Sequence, residues 1–241
     1  MTRPLLEIAA NSLDSALAAQ AGGADRVELC AALEAGGLTP SGGLIALARE
    51  RLSIPVYVLI RPRAGDFAYS AAEHATMLTD IVHCRAAGCA GVVTGALTPH
   101  GDVDVTRCRE LVAAAESMGV TFHRAIDVSR DPLQALEDII ALGCERVLSS
   151  GAQPSAIAGA SLLREMVSRA GGRIAVMPGA GIDAGNLAAL REATGAREFH
   201  ASAKRVLASA MRHVPSMSLG MEGGEIRTDV DEVRRMVEVL R

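Results

Sequence analysis

Short runs of β-branched and aliphatic residues alternate along the whole chain with longer alanine-rich stretches. Continuous apolar runs of this length are typical of strands that are buried on both faces of a parallel sheet. The pattern predicts strands at Leu5–Ala10, Arg26–Cys30, Pro55–Arg61, Gly91–Gly95, Val120–Asp127, Arg146–Ser150, Arg173–Met177 and Glu198–Ser202. It predicts helices between and after them at Ser12–Ala21, Ser41–Arg51, Ala71–Ala87, Val105–Met118, Leu133–Leu142, Ser161–Ala170, Asn186–Ala193 and Val230–Leu240.

The junctions between helices and strands repeat one short pattern, in which a helix ends at a glycine and the next strand follows. Two examples are Ala87-Gly88-Cys89-Ala90-Gly91 and Leu142-Gly143-Cys144-Glu145-Arg146. Such glycines are common helix C-caps, and the repeated strand–helix units favour a closed (β/α)₈ barrel, the α/β TIM-barrel fold. An open Rossmann sheet is the alternative, but no GxGxxG follows the first strand. We expect a single TIM-barrel domain over residues 1–241, with a C-terminal extension at about 205–241 that packs on the barrel.

The composition excludes several classes of protein. Hydrophobic residues make up 49% of the chain and charged residues 22%, as in packed globular domains. The net charge of −4 and the lack of a long basic run give no electrostatic reason to expect nucleic acid or a membrane surface as a partner. No signal peptide or spanning segment is recognisable, and the five cysteines lack CxxC spacing. We therefore expect a cytoplasmic protein with free thiols.

Charged and imidazole side chains occur at strand positions that face the barrel interior. Helices cover the outside of a barrel, so a charged residue near the carboxyl end of a strand lines the usual active-site mouth. The candidate catalytic residues are Glu7, Glu28, His123 and Asp127. We predict that Glu28 and His123 form an acid–base pair, and that Arg61 or Arg124 neutralises one of the neighbouring carboxylates Glu7 and Glu28. Arg61 and Arg124 would also bind the anion, with Glu7 orienting them. The alternative is an ion-pair network that fills the barrel, because unpaired buried charges are costly.

Arginines and glycine-rich loops beside the same strand ends predict an anion-binding site. Arginine matches carboxylates and phosphates, and backbone N–H groups of glycine turns after the late strands of barrels often bind phosphate. The candidate anion-binding residues are Arg61, Arg63, Arg124, Ser150, Gly151, Gly179, Gly181, His200 and Ser202. Two alternatives are open: Arg63 could pair with Asp66 instead, and the Gly179–Gly181 segment could be no more than a tight turn.

Cys30 is the one cysteine that the alternation places inside the barrel near the mouth. Cys84 and Cys108 fall on predicted helices, and Cys89 and Cys144 fall in connections at the opposite end. A soft ion such as Cu(I) needs two or three thiolate, thioether or imidazole ligands. Residues that could join Cys30 are His123, His200, Met177, Met211, His213, Met217 and Met221. If Cu(I) binds specifically, we expect Cys30 to dominate, although Cys30 could equally be a small core residue.

Several long sequence blocks resemble one known family, that of the copper homeostasis protein CutC. The blocks are LLEI (5–8), ADRVELC (24–30), GGLTPS (36–41), RPRAGDFAYS (61–70), VVTGAL (92–97), TFHRAID (121–127), LSSG (148–151), PGAGI (178–182) and FHASA (199–203). The resemblance covers about residues 5–230. Ile126 replaces the more usual phenylalanine, and the segment 211–228 is shorter and differently composed than in the family pattern.

The resemblance implies a cytoplasmic TIM barrel, a homo-oligomer (dimer or tetramer), and a role in copper homeostasis with Cu(I) binding. The residues of the predicted mouth point elsewhere, because carboxylates, imidazoles and guanidiniums suit acid–base work on an anion better than they suit a soft monovalent ion. Two hypotheses therefore stand. One is a Cu(I)-binding protein of copper homeostasis, and the other is a barrel enzyme that acts on a small anionic metabolite, for example a phosphorylated one.

Overall fold

The computed structural model describes residues 3–213, 216–217 and 224–241, and its centre is a barrel of eight parallel strands. The strands are β1 (Leu5–Ala10), β2 (Arg26–Leu29), β3 (Val56–Leu59), β4 (Gly91–Thr94), β5 (Gly119–Phe122), β6 (Arg146–Ser149), β7 (Ala175–Pro178) and β8 (Glu198–Ala201). Neighbours in sequence pair in parallel from β1 to β7. In addition, β1 pairs with β8, with Glu7 opposite His200, and Gly179 after β7 bridges His200. The TIM-barrel prediction is confirmed, and the open Rossmann sheet is excluded.

Helices alternate with these strands and cover the outside of the barrel. They are α1 (Leu13–Gly22), α2 (Gly42–Arg51), α3 (Ala71–Ala86), α4 (Val105–Ala115), α5 (Pro132–Ala141), α6 (Ala160–Ala170), α7 (Leu187–Thr194) and α8 (Val230–Leu240). Side-chain N-caps define many of their starts: Ser70, for example, accepts a hydrogen bond from the Glu73 N–H in a reciprocal capping box. None of the described helices is long and apolar enough to cross a bilayer.

The strand side chains alternate between the helical layer and the barrel interior, as predicted. Val27 and Leu29 belong to the large core that includes the helices. Cys30, Tyr57 and Leu59 belong instead to a small separate cluster. Since alternate residues of a strand face opposite sides of the sheet, this division also points Glu28 and Arg26 toward the interior.

The fifth strand is shorter than predicted. The chain leaves the sheet after Phe122 and forms a 3₁₀ helix over Arg124–Val128, so Asp127 lies in this short helix rather than on a strand. The reason is local: Nδ1 of His123 accepts a hydrogen bond from the Ala125 N–H at 3.3 Å and caps the new turn. The seventh strand begins at Ala175 rather than at Arg173.

The chain after the barrel contains a hairpin that the sequence pattern did not reveal. Strands β9 (Lys204–Leu207) and β10 (Glu225–Thr228) pair in antiparallel fashion before α8 returns to the barrel surface. Gly22 at the end of α1 lies against Val233 of α8, where a side chain on Gly22 would collide. Between β8 and β9, Ala203 has a φ of +44°, a left-handed conformation that non-glycine residues rarely adopt. This sharp change of direction starts the hairpin beside the barrel mouth.

Candidate active site

A cavity of about 310 Å³ lies where the strands end. The predicted site residues that line it are Glu28, Arg61, His123, Arg124, Gly181, His200 and Ser202. Its apolar wall includes Leu33, Leu59, Phe67, Leu148 and Ile182, and Lys204 of β9 is part of its lining. The structure therefore brings seven of the predicted residues to one cavity at the expected end of the barrel.

Deeper in the barrel, below this cavity, buried charges form a paired network that we call the floor: Glu7, Arg26, Glu198 and Arg146. Arg26 donates to Glu7 and to Glu198, each at 2.5 Å, and Arg146 donates to Glu198 at 2.6 Å. Burial by itself would raise the pKa of Glu7, but the charge of Arg26 and the hydrogen bond with His200 lower it to about 2. Glu7 is therefore ionised at neutral pH. The arginine that keeps it so is Arg26, which corrects the expectation of Arg61 or Arg124.

His200 connects the floor to the cavity. Its Nδ1 donates to Glu7 at 2.7 Å, and its Nε2 lies 3.7 Å from a carboxylate oxygen of Glu28. Burial lowers the pKa of His200, but the two carboxylates raise it above its ordinary value overall. Burial also raises the pKa of Glu28 to about 7, with the charge of Glu7 acting in the same direction and that of His200 against it. Glu28 can thus gain or lose a proton near neutral pH.

His123 lies on the cavity wall as a neutral imidazole. Its side chain is 4% exposed, and burial together with the charge of Arg61 lowers its pKa to about 3. Because Nδ1 accepts the Ala125 N–H, the neutral ring carries its proton on Nε2. That Nε2 is buried and has no partner among the described residues. This geometry suits a hydrogen-bond donor better than the proton carrier that the sequence led us to expect.

Arg61 is a buried cation that no described carboxylate neutralises. Its guanidinium donates to the carbonyl oxygens of Ala35, Gly37 and Gly65 at 2.9–3.0 Å and also interacts with the Tyr69 hydroxyl. Its Nε has no hydrogen-bond partner of regular geometry within the described ranges. Lys204, the only lysine of the chain, is exposed at the edge of the cavity and makes no ion pair with a described carboxylate. These two side chains leave the cavity with positive charge that the described protein does not balance.

Arg63, from the same loop as Arg61, turns away from the cavity. It pairs with Asp66 at 2.9 Å and with Glu73 at 2.6 Å, which is the alternative the sequence left open. Gly179 does not line the cavity either; its N–H donates to the Ser149 carbonyl, and a side chain there would collide with Leu148. Both residues lie outside the cavity lining, and neither offers the cavity a free hydrogen-bond donor.

Asp127 occupies the donors that we expected to bind an anion. The Ser150 N–H donates to both carboxylate oxygens of Asp127 at 3.0 Å, and the Ser150 hydroxyl contacts the same group at 2.9 Å. The Gly151 N–H donates to the Ser149 hydroxyl at 2.9 Å. Arg124 closes the cluster with a 2.8 Å ion pair to Asp127. An internal carboxylate thus organises this loop, and Ser150 and Gly151 keep no free N–H for a ligand.

Cys30 lies inside the barrel as predicted, but it is fully buried among apolar neighbours. Tyr57, Leu59 and Val93 pack around it. Burial raises the pKa of its thiol, and the nearby charges of Glu28 and Glu34 act in the same direction. The proposed soft partners are elsewhere: Met177 accepts a hydrogen bond from Arg26, while Met211, His213 and Met217 are exposed, and Met221 lies outside the described residues. The described residues therefore do not surround Cys30 with soft ligands.

The sequence interpretation missed Arg26, Arg146, Glu198 and Lys204. A signal for Arg26 was present, because it lies two residues before Glu28 and alternation places both on the same face of the strand. Lys204 also carried a signal, as a single lysine among many arginines directly after the last barrel strand. Pairing of Arg146 with Glu198 joins β6 to β8, and no local pattern indicates that contact.

Comparisons with known proteins agree on one family. The model of the CutC family matches residues 4–205. CutC family proteins of Xanthomonas campestris pv. campestris strain 8004 and of Chromobacterium violaceum are 56% and 53% identical, each over 98% of both chains. The crystal structure of CutC from Streptococcus agalactiae superimposes with a TM-score of 0.79 at 32% identity, covering 83% of this chain and 98% of that one. An aldolase, QR15, shares only the fold, at 17% identity and a TM-score of 0.63 over 81% of this chain and 89% of its own. The chain belongs to the CutC family.

Proposed function

We propose that this protein is an acid–base enzyme that acts on a small anionic metabolite, with Glu28 as the group that transfers the proton. The observation that carries the proposal is the position of Glu28 in the cavity beside Nε2 of His200, where burial raises the pKa of its carboxyl to about 7. General acids and bases work best when their pKa is close to the operating pH, and burial is how enzymes raise a glutamate to that value.

His200 and Glu7 act as positioning residues for Glu28. Glu7 is held ionised by Arg26 and orients the imidazole through the 2.7 Å hydrogen bond to Nδ1. The Nε2 of His200 then faces Glu28 at 3.7 Å. A carboxylate, an imidazole and a second carboxylate in this order keep the outer carboxylate in one orientation and moderate its pKa.

The charge of the cavity selects the ligand. Arg61 and Lys204 contribute two positive charges without described carboxylate partners, while Glu28 is only partly ionised at neutral pH. Arg124 adds a cation at the rim, although Asp127 shares its charge. An anion that enters the cavity supplies the counter-charge for these cations. The apolar wall strengthens the attraction because it lowers the local dielectric.

Copper homeostasis is the role in the name of the Streptococcus agalactiae relative. Among the described residues, the cluster around Cys30 contains no second thiolate, thioether or imidazole, so these residues do not fit a Cu(I) site. Within the described ranges, the side chains that could share a metal ion are Glu7, Glu28 and His200. These are hard or borderline ligands, which soft Cu(I) does not prefer. The geometry therefore favours the enzyme over the copper carrier.

The test is a screen of phosphorylated and carboxylated metabolites at millimolar concentration for thermal stabilisation and turnover. A true substrate should stabilise the wild type, lose this effect in Arg61→Gln, and keep it in the matched variant Arg63→Gln, whose side chain faces away from the cavity. Glu28→Gln should retain binding and lose turnover by about 10²- to 10⁴-fold. Stabilisation by no anion, or full turnover by Glu28→Gln, would overturn the proposal.

A further inference from the structure

Two hydrogen-bond donors of the cavity, Nε of Arg61 and Nε2 of His123, are buried and have no partner among the described residues. Both side chains pack against Phe67: the His123 ring centroid lies 4.8 Å from that of Phe67, and the Arg61 Cζ lies 5.1 Å from it. Buried donors are nearly always satisfied in folded proteins, so two orphans in one cavity indicate a missing acceptor.

We propose that Arg61 Nε–H and His123 Nε2–H bind the oxygen atoms of a carbonyl substrate, so that the substrates are small oxo-carboxylates and the reaction is proton removal from the carbon next to the carbonyl. This inference rests on the proposed function and names its substrate class. A neutral imidazole is suited to the task, because it donates a hydrogen bond to a carbonyl oxygen without carrying a charge of its own.

The number of free donors favours a carbonyl or carboxylate over a phosphate. Arg61 already uses three N–H groups on the carbonyls of Ala35, Gly37 and Gly65. The N–H of Ser150, which would complete a phosphate cradle, is held by Asp127. The two unpartnered donors, Arg61 Nε–H and His123 Nε2–H, match the one or two oxygens of a planar carbonyl group, and the Lys204 ammonium in the cavity lining supplies a counter-charge for an attached carboxylate.

The proposed step balances without a further reactant. The ionised Glu28 takes a proton from the carbon next to the carbonyl, so that a C–H bond breaks and an O–H bond forms on Glu28. The electron pair of the C–H bond becomes a carbon–carbon double bond, and the carbonyl π pair moves onto oxygen. His123 and Arg61 stabilise the resulting enolate oxygen by hydrogen bonding. Return of the proton from Glu28 to carbon completes an exchange or an isomerisation.

The first test measures binding of oxalate, a planar dianion that resembles the enolate of an oxo-carboxylate, by calorimetry at pH 7. His123→Leu removes the donor and should weaken oxalate binding roughly 10- to 100-fold. His123→Gln, whose amide can donate from a similar position, should recover most of it. Equal affinity in wild type and His123→Leu, or tighter binding of inorganic phosphate than of oxalate, would overturn the inference.

A second measurement keeps the inference testable if His123→Leu does not fold. Nitrogen NMR of the wild type should show His123 neutral with its proton on Nε2 from pH 5.5 to 8, and oxalate should shift that resonance. An Nδ1–H ring, or an Nε2 signal that oxalate leaves unchanged, would overturn it. If the NMR test fails but the metabolite screen finds turnover that depends on Glu28, the acid–base proposal still stands. If the screen finds no turnover but oxalate still binds through His123, the enzyme proposal is rejected and the proposed oxyanion-binding site stands.

Discussion

The barrel interior contains two layers of buried ionisable residues that differ in one respect. In the floor, every charge has a protein partner: Arg26 bridges Glu7 and Glu198, and Arg146 holds Glu198 from the other side. In the cavity above it, Arg61 makes no ion pair with a described carboxylate, Glu28 has only His200 at 3.7 Å, and His123 has an unused donor. The same residue types thus serve structure in one layer and remain available to a ligand in the other.

This difference shows which observation indicates function. Burial of charge alone does not, since Glu7, Arg26 and Arg146 of the floor are as buried as the cavity residues Glu28, Arg61 and His123, and yet they are fully paired. Of the two alternatives that the sequence left open, the ion-pair network is present in the floor, and the unpaired groups above it are the basis of the proposed functional mouth. A buried polar atom without a partner is the more specific sign, because it carries a desolvation cost that only an additional group can offset.

The largest loss of stability should come from a substitution that removes a charged partner from the floor. Arg26→Met leaves Glu7 buried beside His200 alone and removes one partner of Glu198, so we expect a loss of about 3–5 kcal/mol in the free energy of unfolding. Urea denaturation at pH 7 measures it. Arg234→Met removes an exposed pair with Asp231 and serves as the control, with a cost of about 1 kcal/mol or less. A loss below 1 kcal/mol for Arg26→Met would contradict the structural role of the floor.

A smaller effect on stability, of opposite sign, is expected for Glu28→Gln in the cavity. The pKa of Glu28 is raised from 4.5 to about 7 in the folded protein, so between these values the folded state holds a proton that the unfolded state releases. Glu28 therefore lowers stability as pH rises through this window, by up to roughly 3 kcal/mol. Glu28→Gln removes the penalty, and its melting temperature should exceed that of the wild type increasingly from pH 5 to pH 8. Glu50→Gln, at an exposed site, is the control. Parallel curves for Glu28→Gln and wild type would show that burial does not raise this pKa.

The smallest effect is expected at Cys30, which belongs to neither layer. Because its neighbours are apolar, Cys30→Ser should leave Cu(I) affinity within about threefold of the wild type in anaerobic competition with a chelator. The sequence analysis expected Cys30 to dominate if Cu(I) binds specifically, and the apolar surroundings of Cys30 reverse that expectation. A tenfold or greater loss of affinity would restore the copper hypothesis and weaken the contrast between cavity and core.

Alternation of side chains along short strands was sufficient to predict the barrel and the inward positions of Glu7, Glu28 and Cys30. The reason is that a strand has a strict period of two, and the helices outside a barrel tolerate no charge. The first strand and the last helix agree with the predicted bounds, Leu5–Ala10 and Val230–Leu240. The hairpin of β9 and β10 was missed because its strands are largely exposed and carry no apolar run.

Periodicity and strand order are local properties of the chain, and they were sufficient to predict which strand side chains point into the barrel. Only the tertiary structure decided which of them are paired. Arg26 rather than Arg61 neutralises Glu7, and Asp127 takes the N–H of Ser150. The proton of His123 lies on Nε2 because the backbone N–H of Ala125 occupies Nδ1. Partner choice depends on distances of a few ångströms between strands far apart in sequence, and hydrogen-bond and Coulomb energies change steeply over that range.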